Sequence, residues 1–309
     1  MSVAAAATAA PAAFPRRIIG FLRDLFVGTL LCMTPLTSII ALGWITRNMD
    51  ARIKQLTGGH LGTPGWVLGD RGHGVTARLF GGLAANVKVG LRTAFGLALL
   101  TLPFTLFWLG AWWAGWENSF NKGYEQSNVG PLVWFAGTAL SLPILALLPM
   151  AIAHMAAENR LSALFEWRRL RRIVGAAGWR LACIAILSVI LSVPFLVLRA
   201  IPVFIEDFVP GFADMAPDDQ YGVAMLLDVL GAMAAFAFVW FIRLRAASVY
   251  ALTEATLTGR TPVSRLRAVW FLLAAVTWLP LSLFIVVAQF LNYDPWLWLT
   301  HPAYLLPWI

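Results

Sequence analysis

The chain has 309 residues, 60% of them hydrophobic and only 12% charged, whereas soluble domains carry roughly 25% charged residues. A water-soluble fold cannot hide that much apolar surface, so lipid is the expected solvent. The net charge of +8 does not indicate nucleic acid, because the basic residues sit in short loops flanking apolar runs, where they set topology and meet anionic lipid.

The first fifteen residues are almost all alanine, with Pro11 and Pro15. They have no packing pattern and are expected to be disordered. They make a poor signal peptide, because Arg16, Arg17 and Arg23 come late and no small-residue cleavage site follows. Residues 16–309 read as a single transmembrane domain.

A helical span needs about 20 apolar residues. Six stretches are long enough: Phe26–Thr46, Leu91–Trp113, Leu132–Met155, Leu181–Ile201, Val223–Ile242 and Val269–Leu291. The runs are continuous rather than alternating, so they read as helices. The expected fold is all-α, a polytopic transmembrane bundle of five to six spans.

Segment 1 carries Pro35 near its centre with Thr34, Thr37 and Ser38 around it. Proline removes a backbone donor and bends or breaks a helix. The segment is therefore either a kinked full span or a re-entrant hairpin. The hairpin keeps Arg16, Arg17 and Arg23 on the same side as the bases of the loops after segments 1, 3 and 5. Only Lys122 and Arg199 then lie opposite. By the positive-inside rule the Arg-rich side faces the cytoplasm, and the C-terminus, after six segments and without Lys or Arg, faces out.

Prolines recur at Pro103, Pro143, Pro194 and Pro280, each preceded within three residues by a hydroxyl: Thr101, Ser141, Ser192 and Thr277. Those hydroxyls are expected to satisfy the carbonyls that proline frees. Between segments 3 and 4, Leu161, Leu164, Phe165, Leu170, Ile173 and Val174 form an apolar stripe at helical spacing. It is flanked by Arg168, Arg169, Arg171 and Arg172. That pattern suits an interfacial helix with the four arginines contacting anionic lipid. Segment 5 is expected to continue through Tyr250 and Glu254 to a C-cap at Gly259, with Thr261 and Pro262 opening segment 6.

Three blocks resemble a known family. The first is Phe26–Arg47, ending Gly43-Trp44-Ile45-Thr46-Arg47. The second is Thr63-Pro64-Gly65-Trp66, followed by Leu79-Phe80-Gly81-Gly82-Leu83 and then Leu102-Pro103. The third is Ala156 to Glu166 with the arginines beyond it. Together they are similar to an uncharacterised prokaryotic polytopic membrane-protein family related to the glycerophosphodiester phosphodiesterase membrane domain. The resemblance covers about residues 16–200. It departs at Gly65, where the family tends to carry an acid. It implies a prokaryotic inner membrane and supplies no catalytic residue.

Chemical candidates are few. Asp228 is the only acid well inside an apolar run, and Arg199, near the outer end of segment 4, is placed to approach it; the pair reads as a structural clasp or a proton or ion relay, or the acid is partly exposed to headgroups. His154 and Glu158 share a helix face, but one such pair is too few ligands for a metal. His60, His73 and His301 are scattered. Gly69-Asp70-Arg71-Gly72-His73-Gly74 lacks the spacing of a phosphate loop. Neither metal nor cofactor is expected. Trp108, Trp112, Trp113, Trp116 and Trp134 gather on the outer side with Trp296, Trp298 and Trp308, as an aromatic belt or as a docking surface for a partner helix, a quinone or a pigment. Gly231 and Ala235 permit close helix approach, within the chain or between chains.

The expected function is that of a non-catalytic accessory, scaffold or assembly subunit of a larger membrane complex. Its partners are then the bilayer with its anionic lipids and a membrane protein. The alternative is a small-solute or lipid transporter or channel, resting on the prolines and Asp228.

Overall fold

Thr34 and Pro35 end one helix and begin another. In the computed structural model, which describes residues 13–58, 66–69, 74–115, 129–258 and 265–283, α1 (Ala13–Cys32) stops at Met33 and Thr34, and α2 (Pro35–Leu56) starts at the proline. Pro35 occupies the first helical position, where its missing N–H costs nothing. Thr34 is the N-cap, its Oγ1 accepting from the Thr37 N–H at 3.3 Å. Thr37 Oγ1 donates to the Leu31 carbonyl at 2.6 Å and so ties the two helices across the break.

The break is a turn, not a kink. Phe21 of α1 and Trp44 of α2 lie against the same Trp240 ring, at centroid distances of 5.5 and 5.1 Å. Further along, Gly28 packs on Phe236, and Arg52 reaches Ser248. These contacts run in opposite senses along Phe236 to Ser248, so α1 and α2 are antiparallel. At 1.5 Å per residue the tip lies about 15 Å beyond Trp44, level with Asp228. The first residue of that helix, Pro217, is about 16 Å further on.

The remaining elements are α3 (Val75–Phe80), α4 (Leu83–Gly115), α5 (Val129–Glu158), a 3-10 turn Leu161–Phe165, α6 (Trp167–Ala177), α7 (Trp179–Ala200), α8 (Ile205–Phe208), α9 (Pro217–Thr258) and α10 (Arg267–Thr277). No strand occurs among the described residues, and the all-α class holds. Among the described residues, three helices are long and apolar enough to cross a membrane by themselves: α4, α5 and α9. A fourth crossing arises if α6 and α7, bent by 90° at Gly178, count as one broken span. The bend needs Gly178, whose φ of 57° lies in the left-handed region. Of segment 6, only the part through Leu283 is described.

Neighbouring contacts give the long helices and α10 a direction. Arg47 donates to Asn86 at 2.9 Å, and Gly43 and Gly90 bring α2 and α4 into backbone contact. Arg92 binds Asn159 past the end of α5. Gly137 lies beside Trp108. Gly178 faces Trp270 of α10. One end of the bundle therefore gathers the C-terminal ends of α2, α5 and α9 with the N-terminal ends of α1, α4, α7 and α10. This is the Arg-rich end. At the other end, Asp218 and Asp219 occupy the first turn of α9, where carboxylates complement the helix dipole.

Two expectations about packing need correction. The hydroxyls before the prolines do not cap the freed carbonyls. Thr101 donates to the Leu97 carbonyl, Ser141 to Thr138, Ser192 to Val189 and Thr277 to Leu273. A Ser or Thr in a helix reaches a carbonyl three or four residues back. The carbonyl freed by each proline lies only one or two residues before the hydroxyl, out of that reach. Nor do all outer tryptophans form a belt. Trp108 and Trp134 are buried in the α4–α5 interface, while Trp113 is exposed. Gly231 and Ala235 face the interior, so the close approach they permit is internal.

The apolar stripe of residues 161–174 is split at Glu166 into the 3-10 turn and α6. Leu164, Leu170, Ile173 and Val174 are buried, as the stripe requires. Segment 5 runs to Thr258. Gly259, Thr261 and Pro262 lie outside the described residues, as do the first twelve residues, Lys122, Trp116, Trp296, Trp298, Trp308, His60, His73 and His301.

Candidate functional site

In α6 the arginines alternate with buried residues at helical spacing. Arg168, Arg171 and Arg172 share one face, at i, i+3 and i+4, while Leu170, Ile173 and Val174 fill the opposite one. The arginine face opens on a cleft of about 960 Å³ between α5, α6, α9 and α10. A fourth guanidinium enters from Arg267, the first residue of α10. The apolar wall is made by Leu147, Val174, Leu257 and Phe271. No carboxylate lines the cleft, and none of these four arginines forms an ion pair among the described residues.

Four like charges beside the positive end of a helix repel one another. An anion in the cleft relieves that repulsion, and guanidinium groups suit phosphate oxygens through paired N–H donors. The adjoining apolar wall suits an acyl chain. The arginine cluster expected from the sequence is therefore split. Arg169 points away and pairs with Glu254 of α9, and Arg267, which the sequence did not single out, takes its place.

Behind α6 lies a polar network that fixes the corner. His154 is only 2% exposed. Its Nδ1 is 2.9 Å from Tyr250 Oη, and its Nε2 is 2.9 Å from Glu166 Oε2. An ionised carboxylate only accepts, so Nε2–H donates to Glu166 and Nδ1 accepts the Tyr250 hydroxyl. Both nitrogens of a neutral ring are thereby satisfied. Glu166 also binds Arg160. These two partners, His154 first, hold the Glu166 carboxyl below the usual carboxylate range. Arg92 donates to the Asn159 carbonyl and to its Oδ1 at 2.5 Å, where Asn159 takes a φ of 52°. Asn tolerates that left-handed turn better than most residues. The network joins α4, α5 and α9 to the start of α6 and so positions the arginine face.

The sequence pairing of His154 with Glu158 is not what the structure contains. Glu158 turns to Arg160 at 3.5 Å, and His154 uses Glu166, beyond the end of its own helix. No group of three or more His, Cys, Asp or Glu side chains suited to a metal occurs among the described residues. Asp228 is exposed on the surface of α9. Arg199 falls in the last turn of α7, and its side chain lies outside the described part.

Comparisons with protein-family models, with curated proteins and with solved structures find no match to this chain.

Proposed function

We propose that the chain is a multi-span membrane protein that holds an anionic lipid headgroup in the arginine cleft, as a non-catalytic accessory or assembly subunit of a membrane complex. In this reading the Arg-rich end faces the cytoplasm of a prokaryotic inner membrane, the α1–α2 hairpin re-enters, and five segments cross. The observation that carries it is the set of four guanidiniums without a carboxylate, set against an apolar wall. Accessory rather than catalytic action is supported by His154, Glu166 and Glu254 being committed to contacts between helices. The transport alternative keeps the proline-containing helices as support, but Asp228 sits on the outer surface of its helix rather than along a path through the bundle.

The test is native mass spectrometry of protein released from membranes containing phosphatidylglycerol and cardiolipin. A basic side chain near an anionic surface contributes about 1 kcal/mol. Replacing Arg168, Arg171 and Arg172 by Gln should therefore cut retained anionic lipid by about 100-fold. Equal retention by the variant contradicts the reading. Mild solubilisation with cross-linking tests the accessory role, which predicts one defined membrane-protein partner; repeated isolation alone contradicts it.

A further inference from the structure

Arg243 lies in the interior of the bundle, far from the arginine cleft's open face. It is on α9, seven residues before Tyr250 and so about 10 Å deeper than the His154 network. The residue is 5% exposed, and its Nη1 is buried with no hydrogen-bond partner among the described residues. No ion pair involves it among the described residues. A guanidinium cannot shed its proton to escape this position. An unpaired buried charge is among the costliest features a fold can contain.

The guanidinium borders a cavity of about 30 Å³. Leu148, Pro149 and Ile152 of α5 wall one side, with Ser188 of α7, Trp278 after α10 and Ile242 of α9 around the rest. Each of these residues is itself buried. A void this size holds a water-sized particle or two. It is far too small for a lipid headgroup or an organic phosphate. Among the described residues the lining contains no acid, and its one formal charge is positive. The α5 wall offers only the apolar side chains of Leu148, Pro149 and Ile152.

We propose that this cavity is a binding site for one small monovalent inorganic anion of halide size, with the Arg243 guanidinium as its counter-ion. The anion neutralises the buried charge and accepts from the unpartnered Nη1. It is chosen over phosphate or sulfate by size and by charge, since a dianion overcompensates one guanidinium in a low-dielectric site. The site is independent of the arginine cleft, which is larger and open.

The test uses the full chain in mild detergent with Cys183 replaced by Ser, so that the buried Cys32 reports unfolding through a thiol-reactive dye. Melting is followed in sodium gluconate with chloride or bromide replacing gluconate at constant ionic strength. Gluconate is too large for the cavity. The expected result is a saturable rise of about 3 °C or more with chloride and with bromide, and none with sulfate. Arg243→Met removes the charge that needs an anion, so it should melt no lower than the parent in gluconate and show no chloride response. The variant lacking Arg168, Arg171 and Arg172 should keep the response. A parent that melts identically in chloride and gluconate overturns the site, as does a chloride response that survives in Arg243→Met. Binding of radiolabelled chloride to the parent protein gives a readout independent of any variant: one saturable ion per chain is expected, and none overturns the proposal.

Discussion

Replacing Gly43 by Ala should separate α2 from α4. A Cβ built on Gly43 falls 1.8 Å from the Asn86 carbonyl oxygen and 2.8 Å from the Gly90 nitrogen. Both are backbone atoms, so no side chain can swing aside. Ordinary contact begins at 3.4 Å, so the backbones must part by 3.4 less 1.8, or 1.6 Å. That movement stretches the Arg47–Asn86 hydrogen bond of 2.9 Å and the Thr46–Thr93 contact of 3.3 Å. Overpacking of this kind costs about 1–3 kcal/mol. Gly222 of α9 is the control, because a Cβ there meets nothing within 4 Å. Gly222→Ala removes a poor helix former and should stabilise by up to about 1 kcal/mol. Thermal unfolding in mild detergent, read through Cys32 in a background lacking Cys183, measures both. A Gly43→Ala protein as stable as its parent, or equal losses at both glycines, refutes the packing argument.

His154→Leu leaves the buried Tyr250 hydroxyl without its partner and Glu166 with Arg160 alone; loss of the buried pairing should lower stability by about 1–3 kcal/mol. Tyr250→Phe removes only one hydrogen bond and should cost about 1 kcal/mol, measured in the same assay. Glu166 gives a pH signature: its carboxyl is held below the ordinary carboxylate range by His154 and Arg160. Its contribution is therefore complete above the ordinary carboxylate pKa and is lost as pH falls through the depressed, folded-state value. Glu166→Gln should flatten the acid limb of the stability profile, and an unchanged limb would remove Glu166 as its source.

Much of the architecture was legible because it rests on patterns of period and charge. Continuous apolar runs mark α4, α5, α7 and α9. Pro35 between two threonines marks the break between α1 and α2, while the arginines before segment 1 left a kinked span and a hairpin both open, because the positive-inside rule sets the overall bias rather than the side of each loop. The site was less legible, because its contacts join residues remote in sequence. His154 meets Tyr250 across 96 positions. Glu166 returns to His154 only because the chain turns through Leu161–Phe165. Arg243 reads as a cation at the end of a span, yet α9 continues beyond it for about four turns, to Thr258, and leaves it inside the bundle. Trp108 and Trp134 read as interfacial for the converse reason: tryptophan suits both a membrane interface and a core, and for Trp108 the space is opened by Gly137.

The placement of the N-terminus tests the account most directly. Single cysteines introduced at Thr57, Leu257 and a position just before α1, in a chain lacking Cys32 and Cys183, can be labelled in sealed inside-out and right-side-out vesicles with an impermeant maleimide. A re-entrant hairpin beneath one Arg-rich face predicts that all three react only in inside-out vesicles. Reaction of the N-terminal position from the opposite side to Thr57 makes segment 1 a full span and contradicts the account.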